Sequence, residues 1–164
     1  MESADERHSS SVVQYTDEWE SLQQHPDPEW FRDAKFGIYT HWGPYSVPEW
    51  GDEWYARRMY LNKKKKNGNF YVFHKERYGD PADFGYKDLI PLFTADNFDA
   101  DEWADLFVNS GAKFAGPVAE HHGGFAMWDS DLTKWDAMDM GPRRDIVGEL
   151  GKALKGRGLK FVTS

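Results

Sequence analysis

Apolar positions along the chain fall into short, separated runs. KFGIYT at 35–40 mixes β-branched and aromatic residues and ends on a turn signal, the pattern of a buried strand. AKFAGPVA at 112–119 reads as a second buried strand, although Gly116 and Pro117 imply that its far half twists or leaves the ladder. LKFVTS at 159–164 reads as a third. Helical patterns lie between them. Asp99 with Glu102 forms a capping-box-like start, Trp103, Leu106 and Phe107 recur at helical spacing, and Gly111 supplies a stop. Further on, Ile146, Val147, Leu150 and Leu154 mark one helical face, closed by Gly156 and Gly158. Residues 56–92 lack sustained periodicity and read as irregular chain with short helices, the lysine run at 63–66 being a solvated face. Residues 1–26 read as a mobile polar leader, with residues 27–164 as the domain proper.

Strand, long insertion, helix, strand, loop, helix, strand is the α/β grammar of parallel strands joined by crossovers. Parallel sheets need cover on both faces, and three strands with two clear crossover helices neither close a barrel nor cover an open sheet. The pattern therefore predicts the front portion of a larger α/β domain ending within its third strand, or a unit that completes itself as a homo-oligomer through open sheet edges.

Composition narrows the classes of partner. With 164 residues one domain is expected, and a net charge of −8 works against nucleic acid, which needs a basic footprint. The absence of cysteine rules out disulfides and thiolate metal sites. No apolar stretch approaches a membrane span and no signal peptide is visible, so the expectation is a soluble chain, cytoplasmic if its N-terminus is complete. Aromatics make up 16% of residues, including 8 Trp, while mean hydropathy is −0.79. The excess is of ring faces, not of aliphatic core.

Those rings concentrate in GIYTHWGPYSVPEWGDEWY, 37–55, whose prolines and glycines forbid a single regular element. In parallel α/β proteins, functional groups collect on loops after strand C-termini. His41 directly follows the first strand, Glu120, His121 and His122 follow the second, and Glu53 with Trp54 lies downstream of the first. Singly, each has a structural reading, since a lone His hydrogen-bonds locally and a Trp packs. A metal is disfavoured because neighbours in extended chain point to opposite faces and the H-E-x-x-H spacing is absent; no cofactor is expected. Imidazoles and carboxylates for hydroxyl groups, with indole faces for C–H surfaces, instead suit a small polar ligand of the sugar type.

The longer pattern is more specific. WFRDAKFGIYTHWGPYSVPEWGDEWYARRMY resembles the start of the catalytic domain of the α-L-fucosidases of glycoside hydrolase family 29, with its KFGIFxHWGxYSVPxWGxEWY run. GAKFAGPVAEHHGGFAMWDSDLTKWDAMDMGPRRDIVGELGKALKGRGLKF is similar to that family's AKYxxxxxxHHDGFxxWxSxxTxWNxxxxGPxRDxVGEL stretch, and FGYKDLIPLFTADNFDADEWADLF between them matches as well. The resemblance implies a (β/α)8-like TIM barrel, retaining hydrolysis of terminal α-L-fucose from fucosylated glycans, and fucose contacts at His41, Glu53, Trp54, His121 and His122. It also implies that the nucleophilic Asp and the acid/base follow later strands, beyond Ser164, so that no catalytic carboxylate is expected in this chain and the isolated chain is expected to be inactive. Gly123 departs from the family's Asp. The competing reading is a non-catalytic carbohydrate-binding or self-assembling half-barrel.

Overall fold

A computed structural model describes residues 14–66 and 68–164. Part of the leader expected over 1–26, residues 1–13, therefore lies outside the described residues. Two compact units are distinguished, the described residues up to Asp33 and Ala34–Ser164. Helix α1 (Trp19–Leu22) lies in the first, as does α2 (Glu29–Ala34) up to Asp33, and neither helix buries a residue of its own.

The second unit holds a parallel sheet of β1 (Gly37–Thr40), β2 (Phe114–Pro117) and β3 (Lys160–Phe161), in that spatial order. All three expected strands are present, shorter than their apolar runs. The expected departure of Gly116 and Pro117 from the ladder does not occur, because they pair with Tyr39 and Thr40. Gly116 tolerates this because a Cβ there would land on the Val162 carbonyl oxygen, so only a bare backbone admits the neighbouring strand. Pro117 has no N–H to donate, and its carbonyl accepts from Thr163 Oγ1 at 2.9 Å. Past β3 the pairing continues: Val162 N–H donates to the Ala115 carbonyl at 3.1 Å, and Ala119 N–H donates to the Ser164 carbonyl at 2.7 Å.

Two helices cross over between the strands. Helix α6 (Ala100–Asn109) starts at Asp99, whose Oδ1 accepts from Asp101 and Glu102 N–H at 2.9 Å each, a cap of a kind that contributes about 1 kcal/mol. Helix α7 (Ile146–Gly156) starts at Asp145, which accepts from Gly148 N–H at 2.8 Å. Phe107 of α6 and Ile146, Leu150 and Leu154 of α7 share one buried cluster with Ala115 of β2, and Ile38 and Phe161 pack against it. Alternation along the strands then assigns Tyr39 to the opposite face, where it is exposed. Leu106, expected on the buried face of α6, points outward and is 64% exposed.

A second, smaller core lies under the segment after β1. Helices α3 (Tyr55–Arg58), α4 (Phe70–Tyr78) and α5 (Tyr86–Leu89) contribute Tyr55, Phe70, Tyr86 and Leu89, joined by Met59, which follows α3, and Tyr45. Its polar centre is His74, fully buried, with Nδ1 2.9 Å from Tyr55 Oη and Nε2 2.7 Å from the Phe84 carbonyl oxygen. A carbonyl can only accept, so Nε2 carries a proton; in the neutral ring Nδ1 accepts from the Tyr55 hydroxyl. The irregular loop itself is pinned by Trp42, whose ring lies 4.9 Å from Phe93, 5.3 Å from Phe98 and 5.3 Å from Trp103. Lys63–Lys66 are exposed. Among the described residues no helix is long and apolar enough to cross a membrane.

Candidate active-site cleft

At the C-terminal ends of β1 and β2 the chain leaves the sheet and opens a cleft of about 550 Å3, lined by Tyr39, His41, Val118, Glu120, His121, His122, Gly124 and Ser164. Strand geometry explains the grouping. Tyr39 and His41 are two residues apart and so share a face, while Val118 to His122 continue directly from β2. A hydrogen bond between Tyr39 Oη and Ser164 Oγ ties the first strand to the chain beyond the third.

Of the five residues singled out in the sequence, His41, His121 and His122 line the cleft directly. Trp54 stands beside them: its ring stacks on His122 at 4.1 Å with an interplanar angle of 25°, and meets His121 edge-on at 5.6 Å. The His41 and His121 rings are 5.6 Å apart. The adjacent His121 and His122, expected to point to opposite faces, instead turn together, their rings edge-on at 4.7 Å, with His121 also beside His41 and His122 stacked on the indole. Glu53 is outside the cleft lining and half-buried. Its charge reaches the site electrostatically, raising the Tyr45 phenol after the larger effect of burial and partly supporting His121.

His121 titrates below the ordinary imidazole range, chiefly because burial penalises its charged form, and further because His122 and His41 would be like charges. A neutral His121 ring offers one donor and one acceptor. Among the described residues its Nδ1, shielded from solvent, has no hydrogen-bond partner, and the same is true of Thr40 Oγ1 and Tyr45 Oη. These three atoms belong to adjoining parts of the structure: Thr40 precedes His41, and the Tyr45 ring lies 5.7 Å from His121. Orphaned buried polar atoms are rare, and their concentration here marks a site where polar partners are still to be supplied. Among the described residues no three His, Asp or Glu side chains converge as metal ligands.

Tyr39, Tyr45, Glu120 and Ser164 belong to this environment without having been assigned a ligand contact in the sequence. Period-two alternation from His41 back to Tyr39 and the place of Glu120 directly after the second strand were the available signals; Ser164 carried none.

A parallel α/β scaffold with imidazoles, an indole and unpartnered polar atoms at its strand C-termini has the chemistry suited to a small polar ligand with apolar faces. The comparisons specify the family. The family model described as Alpha-L-fucosidase matches residues 2–164. The tissue alpha-L-fucosidase of Bos taurus is 43% identical over 158 residues, covering 96% of this chain and 33% of that protein. The tissue alpha-L-fucosidase of Rattus norvegicus is 46% identical over 149 residues, covering 90% and 31%. In three dimensions the chain is similar to the Thermotoga maritima alpha-fucosidase crystallised in complex with fucose, at a TM-score of 0.81 and 40% identity over 92% of this chain and 37% of that one. The chain belongs to the α-L-fucosidase family. It spans about a third of the length of the curated relatives it matches.

Proposed function

We propose that these residues are the N-terminal portion of a retaining α-L-fucosidase barrel and that the cleft is part of its fucose subsite. The observation that carries this reading is the convergence of His41, His121 and His122 with Trp54 at the strand C-termini, within a segment matched by fucosidases along nearly its whole length. In this reading the imidazoles exchange hydrogen bonds with sugar hydroxyls, Glu53 accepts from another, and the Trp54 indole covers the C–H face and methyl group of fucose. The barrel is supported by the sheet: both crossover helices share a core with one face, leaving Tyr39 and its neighbours on a face that a closed barrel would turn inward.

Retention requires a nucleophilic carboxylate and an acid/base carboxyl about 5 Å apart. Family resemblance assigns both to chain after Ser164, so this portion orients the sugar and shields it while later residues perform the displacement. Isothermal titration of methyl α-L-fucoside into the protein and its Trp54→Ala variant tests the subsite. Binding that weakens by about tenfold with loss of the indole supports it; binding indifferent to Trp54 and His41 overturns it. An aryl fucoside assay on residues 1–164 alone is expected to stay at the buffer rate, and turnover would place the nucleophile within this chain. A self-assembling half-barrel is the second reading, favoured by the single strand neighbour that β1 and β3 each have; sedimentation as a folded dimer would support it.

A further inference from the structure

A much smaller cavity shares His121 and Val118 with the main cleft, so that one imidazole serves both spaces. It has about 10 Å3 of room, close to the least that holds one water, and Tyr45 and His121 are both in its wall, with Trp42, Phe125 and Met127 among the apolar remainder. Each of those two residues brings an unsatisfied polar atom. Tyr45 is 8% exposed, and among the described residues neither its Oη nor His121 Nδ1 has a hydrogen-bond partner, although the two rings are 5.7 Å apart. A buried water needs at least two polar partners, and two orphaned atoms beside a space of this size meet that need.

We propose that one buried water links Tyr45 Oη to His121 Nδ1, and that Tyr45 is thereby a positioning residue that fixes the His121 tautomer and leaves Nε2–H to donate into the cleft. The direction of these bonds follows from where the protons are. Burial, and after it the charge of Glu53, keeps the Tyr45 phenol protonated, so the phenol has a hydrogen to give. The Trp42 N–H bears on the phenol oxygen without bonding to it and turns the O–H hydrogen away from itself. The water then accepts from the phenol and donates to Nδ1. Burial, with His122 and His41 as like charges, keeps the His121 ring neutral. A neutral ring has one proton, and with Nδ1 accepting, that proton sits on Nε2. Nδ1 is the shielded nitrogen, so Nε2 is the one that His121 offers to the cleft it lines. Without the phenol the two tautomers compete, and the Nδ1–H form turns a lone pair towards the same ligand oxygen. The inference deepens the ligand-binding reading of His121, which rests on the fucose subsite.

Imidazole nitrogen NMR of the protein without ligand, at a pH where the ring is neutral, reads the tautomer directly. His121 Nδ1 is expected in the pyridine-type range and Nε2 in the pyrrole-type range, with a cross-peak from a long-lived water to the Tyr45 ring. In Tyr45→Phe, checked for folding by circular dichroism, the water loses one of its two partners. Both His121 nitrogens are then expected to move towards averaged values, and methyl α-L-fucoside to bind about fivefold more weakly. A pyrrole-type Nδ1 in the parent overturns the proposal, whether or not the variant folds. An unchanged tautomer in the folded variant, even with weaker binding, gives Tyr45 a packing role alone and also overturns it. The expected tautomers in parent and variant, with no fucoside binding by the parent, uphold the bridge and overturn the fucose subsite.

Discussion

Removing one oxygen from Tyr55 tests how the platform beside the cleft is held. Tyr55 is fully buried, and its hydroxyl is the partner of His74 Nδ1 at 2.9 Å, while His74 Nε2 is committed to the Phe84 carbonyl. Tyr55→Phe keeps the ring and its contacts with Phe70 and Phe73, so the transfer free energy of the aromatic body is retained. What is lost is the one donor to a buried imidazole nitrogen among the described residues, and leaving such an acceptor unsatisfied costs about 1–3 kcal/mol. For a domain of this size each kcal/mol lowers Tm by roughly 2–4 °C, giving an expected drop of about 2–12 °C. Differential scanning calorimetry of the parent and variant measures it. Because Trp54 immediately precedes Tyr55, and the indole stacks on His122, methyl fucoside affinity should fall with stability. A double variant, Tyr55→Phe with His74→Leu, should cost less than the two single changes together, since neither partner is then left unpaired. A Tm within 1 °C of the parent for Tyr55→Phe, or strict additivity in the cycle, would refute the reasoning.

Two further outcomes follow from the sheet and the cleft. Gly116→Ala places a methyl group on the Val162 carbonyl; the pairing of 162–164 with β2 should open, seen as faster amide exchange at Val162 and Ala119, and unchanged exchange there would contradict the close approach. His121 is held below the ordinary imidazole range by burial and by its two imidazole neighbours, so the unfolded chain binds the extra proton first. Stability should therefore rise with pH through the window between the lowered folded value and the unfolded value near about 6.5, and fall on acidification through it. Imidazole resonances followed by NMR check this, and a His121 midpoint at or above that of a free imidazole would be decisive against it.

Elements with a clean period were legible in the sequence. The alternating and β-branched character of 35–40, and the i, i+3, i+4 spacing of Ile146, Leu150 and Leu154, located β1 and α7 because burial of one face dictates both. Helix α4 was not legible, since its buried face uses His74 in place of an apolar residue while Val72 is 41% exposed. Pro117 was misleading for a related reason: the proline rule concerns a lost donor, and here the Thr163 hydroxyl from the segment after β3 uses the remaining acceptor. In the cleft, position after a strand end was enough to group His41 with the His pair. The stacking of Trp54 on His122, the remove at which Glu53 stands and the unpartnered Tyr45 hydroxyl depend on how α3 packs back against the sheet. No local pattern encodes that.

The pairing of β1 with β2 also has a consequence for biosynthesis. Gly37 meets Phe114, and Tyr39 bonds to Ser164 across a separation of 125 residues. Strand β1 leaves the ribosome long before either partner exists, and non-local parallel pairing of this kind is intrinsically slow. During that interval its apolar face and unpaired backbone are a template for the wrong strand, the circumstance in which nascent chains aggregate or call on chaperones. The cleft is thus built on contacts that cannot form until the residues up to Ser164 have been synthesised.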